Sequence, residues 1–385
     1  MSHEAGWPAR LTLAWRILAH DKGRTALAVA GVFLAILLVF VQLGFFIAVP
    51  RGGMLLYDRT QFDVLVASTA YEYQVQPGEF PLSLLDKVKT APEVTLAAPL
   101  YFGSAKWRSG EDGKAPDVFV IGLDPQAPIF TAGELNRQLA VLDRANTVLV
   151  DSMTRPMFGP LTTGRMVEID GNKVKIGGDY VLGTGFMGLG VILVSAQNFI
   201  HLFPYRKLDQ VNLGLIQLKQ GIDPDRAAAS LRQLLGGDIQ IFTRPELEAH
   251  ETAYWTTRTS VGLLFGSGLM VSFIVGIMVV YQILATQVSR QLPQFATLKA
   301  VGYGDRFLNG TVITMAVLIV LAGFFPALVA AVGIYEVIRE ETLLPVQMSG
   351  PRIAVVFAST LAMAAASALL SVSSLRRADP ADLFG

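Results

Sequence analysis

The amino-acid sequence predicts an α-helical membrane protein with four transmembrane helices and a large α+β domain between the first and the second. Hydrophobic residues make up 52% of the 385 positions and charged residues only 16%, whereas an average soluble domain contains about 25% charged residues. Four stretches contain no Asp, Glu, Lys or Arg: Thr25 to Pro50, Thr259 to Ser289, Phe307 to Tyr335, and Ile353 to Leu375. Each exceeds the roughly 20 apolar residues that cross a bilayer core. A soluble protein with buried core helices would explain one such run but not four.

The first apolar stretch is interpreted as an uncleaved anchor. The apolar core of a secretory signal has about 7–15 residues and ends at a small-residue cleavage site. This stretch is longer, and near its end the chain reads Gln42-Leu43-Gly44-Phe45-Phe46, without such a site.

The distribution of Lys and Arg predicts that both termini are cytoplasmic, because basic residues flanking spans accumulate on that side. The basic residues on the predicted cytoplasmic side are Arg10, Arg16, Lys22, Arg24, Arg290, Lys299, Arg306, Arg376 and Arg377. On the opposite side, Arg339 and Arg352 are offset by Glu336, Glu340 and Glu341. The predicted segments are a cytoplasmic amphipathic helix at 1–24, spans at 25–50, 259–286, 307–335 and 353–375, a periplasmic α+β domain at 51–258, a cytoplasmic loop at 287–306, a short periplasmic loop at 336–352 and a cytoplasmic tail at 376–385.

The segment before the first span has the pattern of a short amphipathic helix on the membrane surface. Leu11, Trp15 and Leu18 share one helical face, and Arg10 and Arg16 can reach lipid headgroups from it. A loosely ordered lead-in is the alternative.

The large domain contains two β-α-β patterns that are far apart in the sequence. The first has strands at 62–66 and 94–100 around a helix at 82–88, and the second has strands at 211–218 and 239–242 around a helix that begins at Asp223-Pro224. Such units can pair into one split β-α-β sandwich, so residues 101–205 are predicted to form an inserted subdomain. A hairpin is expected around Asp170-Gly171-Asn172.

No catalytic, cofactor or metal site is predicted in this chain. Glu246, Glu248, His250 and Glu251 lack the H-E-x-x-H order of a zinc site, and a solvated helical face is the preferred interpretation. Ser195 lacks the G-x-S-x-G setting of a hydrolase. The glycine-rich stretch at 183–190 lacks the spacing of a phosphate-binding loop. With zero net charge and no basic run, nucleic-acid binding is not expected.

Two features of the spans bear on assembly. The four spans have no ionisable residue that would serve an ion-driven carrier, so the energy for any transport must come from another polypeptide. Small residues at close helical spacing make the second span the predicted dimer helix: Gly262, Gly266, Gly268, Ser272 and Gly276.

The loop after the second span is predicted to dock on a cytoplasmic partner through one or two short helical turns. Its apolar side chains can fit a partner groove: Leu292, Phe295, Ala296 and Leu298. The complete predicted docking segment is Leu292, Pro293, Gln294, Phe295, Ala296, Thr297, Leu298, Lys299, Ala300, Val301 and Gly302.

Three segments carry a resemblance to the FtsX/MacB superfamily of ABC transporter permeases, closest to the DevC-like branch. They are Leu13-Ala14-Trp15-Arg16 with Lys22, Arg24 and Thr25; Phe295-Ala296-Thr297-Leu298-Lys299-Ala300-Val301-Gly302, which is similar to the ATPase-coupling segment of that family; and the tail Arg376-Arg377-Ala378-Asp379-Pro380-Ala381-Asp382-Leu383-Phe384.

The resemblance implies a non-catalytic permease subunit in the bacterial inner membrane. It implies a homodimer that binds two copies of a separate ABC ATPase, which holds ATP and Mg. It further implies a periplasmic adaptor (a membrane fusion protein) and a TolC-like outer-membrane channel, with export of a lipid or other amphiphile by mechanotransmission. The alternatives are an FtsX-like signalling or scaffold protein that controls a periplasmic partner, and a lipoprotein-extraction permease.

Overall fold

The computed structural model describes residues 7–109, 115–183, 185, 187–342 and 344–377. It divides into two compact units: a membrane unit (residues up to Ala48, Ser260–Thr342, and the chain from Val346 on) and a second unit (Val49–Thr259 and the short segment 344–345). The predicted fold class is confirmed, with four long apolar helices and an α+β domain between the first and the second.

The helices and strands are numbered in chain order. The α-helices are α1 (Trp7–His20), α2 (Lys22–Gly53), α3 (Leu55–Arg59), α4 (Leu82–Lys89), α5 (Gly133–Gln138), α6 (Ala196–Leu202), α7 (Pro224–Leu235), α8 (Arg244–Ala253), α9 (Ser260–Ala300), α10 (Asp305–Thr342) and α11 (Gly350–Arg377). The strands are β1 (Val64–Ser68), β2 (Phe80–Pro81), β3 (Val94–Arg108), β4 (Asp117–Leu123), β5 (Thr147–Asp151), β6 (Met166–Ile169), β7 (Asn172–Tyr180), β8 (Val191–Ser195), β9 (Gln210–Val211), β10 (Leu213–Leu218) and β11 (Ile239–Thr243). A π-helical turn, Tyr254–Arg258, lies between α8 and α9.

Four helices have the length and hydropathy of membrane spans: α2, α9, α10 and α11. Their mean hydropathy over the most apolar window lies between 2.2 and 2.9. Helices α2, α10 and α11 extend beyond the charge-free stretches at both ends, and α9 does so at its C-terminal end. Charged residues at a helix end are compatible with a helical backbone where the chain leaves the apolar core.

The segment 287–306 differs from the short separate turns expected for it. Helix α9 continues without a break to Ala300, through Pro293. The proline removes one backbone hydrogen bond, but its neighbours are mostly good helix formers, and the Thr297 hydroxyl donates to the Pro293 carbonyl at 2.9 Å. The helical direction ends only near Gly302, whose φ of +106° favours glycine.

Helix α1 forms as predicted, but it buries a different face. Ala14, Ile17 and Leu18 join the core of the membrane unit, whereas Trp15 is 64% exposed. The Arg10 guanidinium lies over the Phe307 ring, 5.9 Å from its centroid, so it packs on α10 and does not reach outward. The buried stripe is therefore rotated away from the predicted Leu11-Trp15-Leu18 face.

The second unit contains the predicted split β-α-β arrangement. Strands β11, β1, β10 and β3 lie side by side in that order, and each neighbouring pair is antiparallel. Neighbouring residues of β1 point to opposite faces of the sheet: Val64 and Val66 contribute to the core that contains Leu85 of α4 and Leu231 of α7. Leu65 and Ala67 contribute to the core on the opposite face.

Strand β3 connects this sandwich to the inserted segment. Its residues 94–100 pair with β10, and its residues 101–106 pair with β4. The sheet then continues through β8, β5, β7 and β6. The predicted hairpin joins β6 to β7, with Asp170 and Gly171 at positive φ between the paired residues Ile169 and Asn172, as expected for a two-residue turn.

Candidate functional site

The predicted docking segment occupies the last turns of α9, where it has a buried and an exposed face. Phe295 is 3% exposed and belongs to the core of the membrane unit, and Leu298 packs partly against that core. Gln294, Thr297 and Val301 are exposed. The side chains of Leu292 and Ala296 lie outside the described part of the chain. Pro293 and Ala300 are exposed as well. A partner that binds this segment therefore meets a mainly polar face with small apolar contacts, of which Val301 is the largest branched side chain.

The end of α9 is tied to the start of α10. Lys299 forms an exposed ion pair with Asp305 at 2.9 Å. The Tyr303 backbone N–H donates to the Leu298 carbonyl at 3.0 Å, and the Tyr303 ring lies 4.8 Å from the Phe307 ring. Because these contacts join two helices across a short turn, a force applied near Val301 acts on α9 and α10 together.

The small residues of α9 mediate contacts within the chain. A Cβ at Gly268 would lie 2.7 Å from the Gln42 side chain of α2, and a Cβ at Gly276 would meet Met363 of α11. Gly266 approaches Phe46, and Ser272 is fully buried, with its hydroxyl donating to the Gly268 carbonyl at 2.6 Å; Gly262 is also buried. Their role in a dimer stays a prediction.

A second set of α9 side chains is exposed and apolar, and these are open to contact with a second copy: Leu263, Leu264, Met270, Val271, Ile274, Val275 and Met278.

The expectation of a solvated face for the acidic run in α8 is wrong for Glu251, which is 0% exposed. Glu246 and Glu248 are exposed as expected. The Glu246 carboxylate accepts the Thr243 backbone N–H at 2.9 Å and pairs with Arg232 at 2.6 Å. Glu251 lies one to two turns further along the helix, on the side that faces the core.

The Glu251 carboxylate is the end of a hydrogen-bonded chain that contains two tyrosine hydroxyls. The Tyr71 hydroxyl donates to Glu251 Oε1, and the Tyr57 and Tyr71 hydroxyls lie 2.7 Å apart. A Cβ at Gly53 would lie 2.6 Å from Trp255 Nε1 and 3.2 Å from Glu251 Oε2, so this position has no room for a side chain. We call Tyr57, Tyr71, Glu251 and Trp255 the Glu251 cluster.

Within the Glu251 cluster, the Glu251 carboxyl group can change its charge near neutral pH. Burial raises the pKa of Glu251 to about 7, although hydrogen bonds from Tyr71, the Gln74 backbone and Trp255 oppose this. Burial and the nearby carboxylate also raise the pKa of Tyr57 and Tyr71 well above the ordinary value, so both stay neutral. The site can therefore take up or release one proton, at Glu251.

Aromatic rings enclose the cluster on the side of the π-helical turn. Tyr73 stacks on Tyr254 at 4.5 Å and meets the edge of Trp255 at 5.4 Å. Single π-helical turns are frequent at functional positions. Sequence reasoning missed this site because only tertiary contacts distinguish Glu251 from Glu248. The one signal in the sequence is the density of aromatic residues at 71–73 and 254–255.

The fold and these sites define a multi-pass membrane protein with a periplasmic domain. Two family models match the chain: the FtsX-like permease C-terminal model at residues 266–380 and the MacB-like periplasmic core domain model at residues 25–234. The chain therefore belongs to the FtsX-like permeases with a MacB-like periplasmic core domain. Members of this family are typically non-catalytic transmembrane subunits of ABC systems and generally pair with ABC ATPases.

Solved structures similar to this chain include the periplasmic region of MacB from Actinobacillus actinomycetemcomitans. That similarity has 9% identity and a TM-score of 0.35, and it covers 50% of this chain and 94% of the other. The extracellular domain of a noncanonic ABC-type transporter, YknZ, from Gram-positive bacteria has 13% identity and a TM-score of 0.33, covering 47% and 99%. A domain of a putative permease protein from Porphyromonas gingivalis has 16% identity and a TM-score of 0.29, covering 48% and 87%. No curated protein matches the chain.

Proposed function

We propose that this chain is the permease subunit of an ATP-driven mechanotransmitting exporter of the DevC-like type. In this proposal, two copies of the chain bind two copies of a separate ABC ATPase, which holds ATP and Mg. Closure of the ATPase moves the periplasmic domain, which drives a lipid or other amphiphile through a periplasmic adaptor and a TolC-like channel. The termini and the docking segment are cytoplasmic, and the membrane is the bacterial inner membrane.

The observation that carries the proposal is the unbroken helix α9. It contains 41 residues, which corresponds to about 60 Å at 1.5 Å per residue. The exposed face at Gln294, Thr297 and Val301 lies near one end of this helix, and the chain enters the π-helical turn of the periplasmic unit directly before the other end. A displacement of one end of a continuous helix is passed to the other, because its backbone hydrogen bonds resist bending.

The experiment that tests the proposal is reconstitution of the full chain with candidate ABC ATPases from the same bacterium. We expect the permease to change ATP hydrolysis and the purified complex to contain a periplasmic adaptor. A complex that binds a cell-wall hydrolase or regulator and shows no cargo-stimulated turnover would replace export with the signalling function. Release of a lipoprotein from vesicles without an adaptor would replace it with lipoprotein extraction.

A further inference from the structure

The membrane unit contains a groove between α2 and α9, with a volume of about 350 Å³. It is located where α2 begins and where α9 passes position 290. We call it the α2–α9 groove; its lining residues are Arg24, Leu27, Ala28, Gln282, Ile283, Thr286, Gln287 and Arg290.

The groove lies beside a close contact of the two helices. Gly31 follows Leu27 by one turn of α2, and a Cβ at Gly31 would lie 3.2 Å from Val279 of α9 and 3.9 Å from Ile283. The helices thus touch through a glycine next to the groove, and α2 presents Leu27 outward, 75% exposed. An exposed leucine within a membrane-spanning helix is a surface for lipid or for another apolar helix.

Apolar, polar and charged side chains line the groove, and the two arginines lie at its end where α2 begins. Gln282, Thr286 and Arg290 follow one another at four-residue spacing, which puts them on one face of α9. The rise from the first to the last is about 12 Å. Leu27 and Ile283 provide apolar contact, and Arg24 and Arg290 put two guanidinium groups on the same groove.

Within the described part of the chain, little negative charge matches the two arginines. Asp21 pairs with Arg24 at 2.9 Å, and both side chains of that pair are largely exposed. Asp21 does not line the groove. Two guanidinium groups opposite one carboxylate leave a positive site, and guanidinium binds phosphate through paired hydrogen bonds.

We propose that the α2–α9 groove binds an anionic phospholipid, whose phosphate lies between Arg24 and Arg290. The hydroxyl and amide groups of Thr286 and Gln287 then face the glycerol and ester oxygens, and Leu27 and Ile283 contact the start of an acyl chain. A groove that combines two guanidinium groups at one end with polar and apolar side chains fits a lipid, whereas free phosphate would leave the apolar side chains without a contact. Basic pockets between membrane helices are known to bind anionic headgroups.

A second groove, between α2, α9 and α11, provides a contrast. It has a volume of about 330 Å³, is lined by Val39, Leu43, Met270 and Phe273 among others, and contains no charged residue among those that line it. A lipid in that groove meets no charged side chain among the lining residues, so selectivity for headgroup charge is expected only at the α2–α9 groove.

The experiment is native mass spectrometry of the full-length purified chain with matched amounts of phosphatidylglycerol and phosphatidylcholine. We expect phosphatidylglycerol to be retained about thirtyfold better, which is the ratio that two basic residues give at about 1 kcal/mol each. The double variant Arg24→Gln/Arg290→Gln is expected to lose this preference. Arg306→Gln removes an exposed arginine outside the groove and is expected to keep it. A normal melting profile of the double variant shows that the loss is local.

The remaining outcomes decide between occupants. Equal retention of the two lipids by the unaltered chain would overturn the proposal, as would an equal loss of preference in Arg306→Gln. Displacement of phosphatidylglycerol by millimolar inorganic phosphate would identify a free-anion site and overturn the lipid assignment. Another copy of the chain is the third possible occupant, and Leu27→Cys tests it because the chain has no native cysteine. Efficient cross-linking between copies would make the groove a dimer surface and would also overturn the lipid assignment.

Discussion

The Tyr71 hydroxyl donates a hydrogen bond to Glu251 Oε1, although 180 positions separate the two residues in the sequence. This contact holds the end of α8 against the segment that follows β1. It also fixes one oxygen of a carboxyl group that burial has shifted towards its neutral form. The properties of this acid lead to two predictions about the periplasmic domain.

The first prediction is that the domain loses stability as the pH rises from about 4.5 to about 7. The pKa of Glu251 is about 7 in the folded chain, against an ordinary value of 4.5. Between these values the folded state binds more protons than the unfolded state, so the free energy of unfolding falls with rising pH. The total loss is on the order of 3 kcal/mol, since one pKa unit corresponds to about 1.4 kcal/mol.

Thermal unfolding of the full chain in detergent at pH 5 and pH 8 measures this effect. Glu251→Gln keeps the size of the side chain and removes the titration, so its melting temperature should change less between the two pH values. Glu248→Gln, an exposed neighbour on the same helix, is the matched control and should behave like the unaltered chain. The same pH slope in Glu251→Gln and the unaltered chain would show that another group is responsible.

A second prediction concerns Tyr71→Phe, which removes the hydroxyl and keeps the ring. The hydrogen bond from Tyr71 lowers the pKa of Glu251, so its loss should raise that pKa further and move the pH-dependent melting to higher pH. The buried carboxyl also loses its donor, which should cost about 1–3 kcal/mol. Tyr73→Phe, whose ring stacks on Tyr254, is the control. A stability loss without any displacement of the pH profile would mean that Tyr71 acts by packing alone.

The spans and the split β-α-β core are predictable from the sequence because both depend on local patterns. An apolar run of about 20 residues or more is rarely anything except a membrane span, and Asp223-Pro224 begins α7 with its side chain accepting the Asp225 N–H, as a capping motif should. The direction in which an individual side chain points depends on tertiary contacts, and the sequence pattern does not predict it. The charge pattern places Arg352 in a short loop, yet it lies within α11, nearly buried, over the Tyr335 ring at 5.3 Å.

The same limit applies to the docking segment. The sequence predicts that its apolar residues face a partner, but an apolar residue beside a membrane helix can equally complete the core of its own chain, as Phe295 does. The pattern of the sequence contains no information that separates these two uses. The packing of the helices in the membrane unit decides between them.

A third prediction follows for ATPase coupling. Phe295→Asp places a charge in the core and should lower the yield and the melting temperature of the chain, by about 3 kcal/mol or more. Val301→Asp changes an exposed residue at the end of α9 and should leave the melting temperature unchanged while it abolishes stimulation of the ATPase. Glu340→Gln, at the far end of α10, is the control. Normal stimulation by Val301→Asp would place the contact with the ATPase elsewhere.

The last prediction separates packing within the chain from packing between copies. Ile274 and Met278 are 49% and 64% exposed on α9, whereas Ser272 is fully buried among helices of its own chain. Single cysteines at Ile274 and Met278 should therefore cross-link two copies in membranes, because a disulfide needs Cα atoms within about 7 Å, and Ser272→Cys should not. The absence of native cysteine keeps the background low. Strong cross-linking at Ser272 with none at the two exposed positions would favour the glycine ridge as the dimer surface and would require α9 to separate from α2.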